Sequence, residues 1–185
     1  MSWTEHEREL LRAVAFEAIE FGLAQRRELP VSPLSYPEAL RTPTATFVTL
    51  RSNEDELLGC VGTLRASRPL VIDVARNAYQ AGFADPRFRP ITAEWLPRLD
   101  LHISVLSALE PLAVGSEEDL LAIVRTGTDG LVLEEGHRAA TFLPAMWPRL
   151  GDARTFVRLL KEKGGWSADY WSKTLSVYRY TVEDV

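Results

Sequence analysis

The chain has 185 residues, 46% of them hydrophobic, which is enough to bury one sizeable core or two small ones. Its 21 basic and 26 acidic side chains give a net charge of -5, so it lacks the basic excess of a general nucleic-acid binder. A single cysteine cannot form an internal disulfide, and neither a signal peptide nor an apolar run of about 20 residues is evident, so we expect a soluble cytoplasmic protein without a membrane partner.

The first part of the chain predicts a helix, a proline-rich segment and a β-hairpin. Apolar side chains recur at helical spacing over residues 4–22, and Thr4 with Glu7 three residues later is typical of a capping box. Residues 28–45 contain four prolines and show no period, so we expect them to lie extended over the surface. Two strand-like runs then flank a polar loop at residues 52–56, which predicts antiparallel strands.

The rest of the chain predicts further helices and hairpin strands. Ser67 and Pro69 are typical of a helix start, and the apolar pattern continues that helix to about Phe83. Later segments predict strands near residues 100–109, 131–135, 138–143 and 173–182. They also predict helices near 116–125 and 152–165, the second of them capped by Asp152. Strands come mostly in hairpins, so the predicted fold class is α+β, with a largely antiparallel β-sheet flanked by helices. Without a repeat or charge block to mark a boundary, we interpret residues 1–185 as one domain.

The segment "LLGCVGTLRASRPL" raises the first question about function. It contains Cys60 between Gly59 and Gly62, with Arg65 and Arg68 just before the predicted helix. Three interpretations are open: a small buried residue in a crowded hairpin, part of a site for an anion or nucleotide at the helix N-terminus, or a nucleophilic thiol. An ordinary thiol is only about 3% ionised at pH 7, so a nucleophile would need a nearby cation or helix N-terminus.

A second candidate segment is the turn "DPRF". In a structural interpretation Asp85 accepts backbone N–H groups and Pro86 fixes the turn. In a functional one, Asp85 is an acid or base and Arg87 holds an anion. Together with the end of the strand at Thr63, these residues define a candidate surface for a small anionic ligand.

Metal and cofactor signatures are missing from the sequence. None of the three histidines has a neighbouring His or Cys at ligand spacing, so no metal site is predicted. Phosphate-loop, dinucleotide, nucleophile-elbow and iron–sulfur motifs are also absent. The sequence therefore identifies no cofactor and excludes the common nucleotide, hydrolase and iron–sulfur classes.

Five segments follow one another in the order and spacing of the AMMECR domain, the family also called AmmeMemoRadiSam system protein A. They are "LLGCVGT", "DPRFRPIT", "LHISVLSALEPL", "DGLVLEEGHRAATFLP" and "KEKGGWSADYW". The resemblance covers residues 8–182 or so and implies an α+β fold with a larger and a smaller lobe. It also implies a system with a Memo-like protein and a radical SAM protein as partners, but it implies no particular reaction.

The chain departs from the family's usual hexapeptide, Arg-Gly-Cys-Ile-Gly-Thr, at one position. Leu58 stands where the arginine would be, and strand alternation would place it beside Cys60. If Arg65, Arg68 and Arg87 converge, they would replace the missing charge. Two classes of function remain open: an enzyme or small-ligand module, with Cys60 as a candidate catalytic nucleophile, and a non-catalytic module that docks a partner protein or binds RNA.

Overall fold

A computed structural model of the chain describes residues 3–185. The helices are α1 (Glu5–Gln25), α2 (Glu38–Arg41), α3 (Leu70–Phe83), α4 (Glu117–Ile123), α5 (Trp147–Leu150) and α6 (Ala153–Lys163). The strands are β1 (Thr46–Ser52), β2 (Leu57–Gly62), β3 (Leu99–Leu106), β4 (Glu110–Leu112), β5 (Gly130–Glu135), β6 (Arg138–Phe142), β7 (Ser176–Tyr180) and β8 (Val182–Asp184). The strands form two mainly antiparallel sheets, so the predicted α+β class is confirmed.

The chain divides into two compact units, and the first extends to Ala108 and includes Glu183–Val185. Its sheet has the strand order β2-β1-β3-β8. Alternate β1 side chains are buried, and α3 packs on β1 and β2 while α1 packs on α3. The core of this unit includes Leu11, Ile19, Val48, Val74 and Ile103. One face of the sheet and one stripe of each long helix are therefore buried together.

The second unit comprises Leu109–Val182. Its sheet has the order β4-β7-β5-β6, and α6 packs near β6. Phe156 of α6 is fully buried and stacks on Trp147 with ring centroids 3.8 Å apart. Leu131 and Val177 contribute to the same core from the sheet. The apolar stripe of α6 thus provides the main covering layer of this core.

Several local predictions are confirmed by backbone contacts. The Thr4 hydroxyl accepts the Glu7 N–H, and the Glu7 carboxylate accepts the Thr4 N–H, which completes the capping box. The Asp152 side chain caps α6 by accepting the Thr155 N–H. These are contacts between residues three positions apart, so the sequence pattern was sufficient to predict them.

The proline-rich segment differs from the extended conformation predicted for it. It forms a short 3-10 turn at Pro33–Ser35 and then α2. Leu40 of α2 is fully buried in the core of the first unit, which explains why this stretch folds back. In residues 3–185, no helix combines the length and apolar character needed to cross a membrane.

Candidate functional site

Gly59 and Gly62 are required by close packing in β2. A Cβ atom added to Gly59 would lie 2.0 Å from the carbonyl oxygen of Ala81 in α3. At Gly62 it would lie 2.2 Å from the Phe47 ring. The two glycines therefore allow a helix and an aromatic ring to approach the strand, as the structural interpretation of this segment predicts.

Cys60 is half-buried and pairs with Thr49 across the hairpin. The Thr49 hydroxyl donates a hydrogen bond of 3.3 Å to the Cys60 sulfur. On the next strand His102 pairs with Thr49, so a whole strand separates the imidazole from Cys60. The His102 ring instead hydrogen-bonds the Asp100 carboxylate at 2.9 Å. The Cys60 thiol thus interacts with the Thr49 hydroxyl and with the Arg87 guanidinium, and neither group can serve as the general base of a cysteine nucleophile at neutral pH.

A β-bulge changes the expected position of Leu58. Leu50 pairs with Gly59, but Arg51 pairs with Leu57, so Leu58 is an additional residue in the strand. Its side chain is buried in the core of the first unit, whereas Cys60 pairs with Thr49, between the buried positions of β1. The expectation that Leu58 and Cys60 are neighbours on one face is therefore wrong, because the bulge breaks the alternation.

Asp85 and Arg87 bind the exposed edge of β2 at Cys60. The Asp85 carboxylate accepts the Cys60 N–H at 3.0 Å, and the Arg87 guanidinium donates to the Cys60 carbonyl at 2.7 Å. The same guanidinium makes two hydrogen bonds to the Asp85 carboxylate, of 2.9 and 2.7 Å. Because β2 is at the edge of its sheet, this pair provides the acceptor and the donor that a neighbouring strand would provide.

The charge state of Asp85 follows from these contacts. Hydrogen bonds from the Arg87 side chain and the Cys60 N–H lower the pKa of Asp85 to about 2, against the opposing effect of burial. Asp85 in turn raises the pKa of Arg87. A carboxyl group with this pKa is ionised at neutral pH and is a weak base, so the geometry favours the structural interpretation of Asp85.

Thr63 and Arg68 belong to a second cluster, centred on Asp73. Asp73 is 1% exposed, and one of its oxygens accepts the Thr46 N–H at 3.0 Å, the Thr46 hydroxyl at 2.7 Å and the Thr63 hydroxyl at 2.6 Å. The Asn77 amide donates to the same oxygen at 3.0 Å, and the Arg68 guanidinium lies 3.8 Å from the other oxygen. Two of the residues predicted to hold an anion therefore contact the protein's own carboxylate.

The N-terminus of α3 is also occupied by contacts within the protein. The Leu70 N–H donates to the Thr42 carbonyl at 3.1 Å, and the Ile72 and Asp73 N–H groups donate to the Pro69 carbonyl. Asp73 is in the first turn, where a negative charge compensates the helix dipole. Asp73 was not predicted as a site residue from the sequence, and the available signal was a charged residue within the apolar stripe of α3.

The predicted site residues thus form two clusters along β2 and the loop that follows. Asp85 and Arg87 meet at Cys60, while Thr63 and Arg68 meet at Asp73. Arg65 is exposed in the loop between β2 and α3. Within residues 3–185, no group of three or more His, Cys, Asp or Glu side chains could hold a metal ion.

Comparisons with known proteins cover nearly the whole chain. A family model described as AMMECR1 matches residues 12–185. A protein of Methanothermobacter thermautotrophicus is 33% identical over 172 residues, which cover 92% of this chain and 88% of that protein. A protein of Aeropyrum pernix is 34% identical over 177 residues, which cover 93% of this chain and 75% of that protein.

The fold is also similar to that of a solved structure. The crystal structure of uncharacterized protein PH0010 from Pyrococcus horikoshii matches with a TM-score of 0.85 and 30% identity, covering 96% of this chain and 89% of that chain. Sequence and fold therefore agree over nearly the whole length. The chain belongs to the AMMECR1 family.

Proposed function

We propose that this protein is the AMMECR-domain component of an AmmeMemoRadiSam-type system in the cytoplasm, and that it works by binding Memo-like and radical SAM partner proteins. One observation supports partner binding over catalysis: polar side chains of the candidate site are already bound to other residues of the protein. Thr63 and Arg68 contact Asp73, and Arg87 contacts Asp85. A catalytic site needs polar groups that can turn toward a substrate, and these three are already bound to carboxylates of the protein.

Co-purification tests this proposal. The chain is expressed with the Memo-like and radical SAM proteins encoded by the same genome, and complexes are separated by size-exclusion chromatography. We expect at least one partner to elute with the chain at concentrations on the order of 10 µM. Separate elution of all three proteins at that concentration would overturn the proposal. Strong, salt-sensitive binding of mixed oligonucleotides would instead favour an RNA-binding module, which the net charge of -5 disfavours.

A small anionic ligand at the GCVGT and DPRF segments is the second candidate. The observation that favours it is the exposure of the Arg87 side chain, which is 59% accessible although it is bound to Asp85. Such a guanidinium can add a contact to an anion without leaving Asp85.

Isothermal titration calorimetry with inorganic phosphate tests this second candidate. Saturable binding that Arg87→Gln weakens several-fold, in a variant that circular dichroism shows to be folded at the titration temperature, would support it. Absence of binding up to roughly 10 mM phosphate would reject it, since weaker binding would be negligible in a cell.

A further inference from the structure

The second unit contains an open groove of about 490 Å³ that the candidate site does not use. The start of α4, one face of α6 and the segment 168–171 form its walls. Six of its lining side chains carry charge or aromatic surface: Glu117, Glu118, Arg154, Arg158, Asp169 and Trp171. Its volume lies within the range of roughly 300–1,000 Å³ that is typical of small-molecule sites.

The walls formed by α4 and α6 are joined by a buried ion pair. Lys161 of α6 is fully buried, and its ammonium group donates a hydrogen bond to the Glu117 carboxylate of α4. Breaking such a pair would leave a buried charge without compensation. The spacing between the two helices is therefore held by an interaction that is costly to break.

The third wall is held by Glu135, at the end of β5. Its carboxylate accepts hydrogen bonds of 2.6 Å from the hydroxyl groups of Tyr170, Ser172 and Thr174. The Trp171 indole N–H donates to the Gly115 carbonyl at 2.9 Å, which connects this segment to the residues just before α4. All three walls are thus held before any ligand arrives, and preorganisation lowers the cost of binding.

Opposite charges line the groove without neutralising one another. Arg154 and Arg158 are one turn apart on α6 and lie on the same helix face. Among the described residues, no ion pair joins either arginine to Glu118 or Asp169; the ion pair of Arg158 is with Glu162 on its own helix. Arg158 donates to Glu162 at 2.8 Å and Asp169 accepts the Ser167 hydroxyl at 2.7 Å, so the groove presents two guanidinium groups and two carboxylates whose other hydrogen-bonding positions can meet a ligand.

We propose that this groove binds a small zwitterion that carries a carboxylate or phosphate at one end and an ammonium group at the other. Arg154 and Arg158 hold the anionic end, because guanidinium groups match the geometry of both anions. Glu118 and Asp169 hold the ammonium group, and the Trp171 indole offers an aromatic surface beside it. The proposed zwitterion site does not depend on the partner binding proposed above.

Titration with O-phosphoethanolamine and γ-aminobutyrate tests the proposal and distinguishes phosphate from carboxylate as the anionic end. Binding is followed by NMR through the Trp171 indole N–H signal, assigned with Trp171→Phe. We expect saturable binding of at least one zwitterion with a Kd on the order of 1 mM or tighter. Methyl phosphate and ethylammonium, which carry only one charged end, should bind at least about tenfold more weakly, since each lacks half of the charge complementarity.

Variants of the groove provide the second part of the test. Arg154→Gln combined with Arg158→Gln, and separately Glu118→Gln, should each weaken zwitterion binding at least about tenfold, because each removes a charged contact. Arg149→Gln is the matched control, since Arg149 is exposed in the same unit and does not line the groove. Circular dichroism confirms that each variant is folded. No saturable binding by either zwitterion, equal binding of the singly charged probes, or equal loss in Arg149→Gln would overturn the proposal.

Discussion

The Asp85 carboxylate and the Arg87 guanidinium bind each other through two hydrogen bonds and together bind both backbone polar groups of Cys60. Asp85 is 5% exposed, so its charge depends on Arg87 for compensation. The pair therefore stabilises the edge of β2.

Replacing Asp85 should destabilise the fold. Asp85→Asn keeps the size of the side chain but removes the charge that Arg87 and the Cys60 N–H recognise, so we expect a loss of about 2 kcal/mol in unfolding free energy. Urea unfolding at pH 7 measures it. Asp55→Asn is the matched control, because Asp55 is exposed and has a φ of 65°, which asparagine tolerates. Equal stability of Asp85→Asn and the wild type would contradict the structural role.

The contribution of Asp85 should also depend on pH. The pKa of Asp85 in the folded protein is about 2, below its ordinary value of 3.8. The unfolded chain therefore binds a proton first as the pH falls, so the stabilisation is complete above about pH 5 and is lost toward pH 2. The difference in unfolding free energy between wild type and Asp85→Asn should be smaller at pH 3 than at pH 6. A difference that stays constant over this range would contradict the lowered pKa.

Asp73 should be more sensitive to substitution than the groups around it. Asp73→Asn places an amide among donors that surround a buried carboxylate, and we expect a loss of about 3 kcal/mol or more. Thr63→Val removes one hydrogen bond to Asp73 and should cost about 1 kcal/mol. Chemical unfolding of both variants tests this order. A larger loss in Thr63→Val than in Asp73→Asn would show that Asp73 is not the centre of the cluster.

Gly59 should not tolerate even a methyl group. The added Cβ of Gly59→Ala would overlap the Ala81 carbonyl oxygen, which belongs to a helix backbone and cannot move alone. Such overpacking should cost about 3 kcal/mol, measured as a lower urea midpoint. In Gly115→Ala the added Cβ lies 3.4 Å from a flexible Asp119 oxygen, so this control should remain close to the wild type. Similar stability of the two variants would mean that α3 does not approach β2 so closely.

Cys60 should react slowly with thiol reagents. Its side chain is half-buried, and its sulfur accepts a hydrogen bond from the Thr49 hydroxyl. We expect labelling by a disulfide reagent at pH 7 to be no faster than that of free cysteine, because the thiol is half-buried and neither the Thr49 hydroxyl nor the Arg87 guanidinium that interact with it can accept its proton. Labelling after denaturation gives the reference rate. Native labelling that is clearly faster than the reference would restore the hypothesis of a nucleophile.

Local features of the fold were accessible from the sequence, and long-range ones were not. The capping box at Thr4 and the cap at Asp152 depend on residues three positions apart, and both predictions are confirmed. The bulge at Leu58 was not predicted, because the register between β1 and β2 depends on the packing of both strands. The helical turn around Leu40 was missed for a similar reason, since burial in the core stabilises it.

The sequence by itself determined the α+β class, the main helices and hairpins, the membership in the AMMECR1 family and the importance of the segments around Cys60 and Asp85. These depend on local patterns and on the order of motifs along the chain. Only the tertiary structure decided what the polar residues of those segments contact. Asp73 lies 10 positions from Thr63, and Asp85 lies 25 positions from Cys60. Contacts at such separations depend on how α3 packs against β2, which no local pattern specifies.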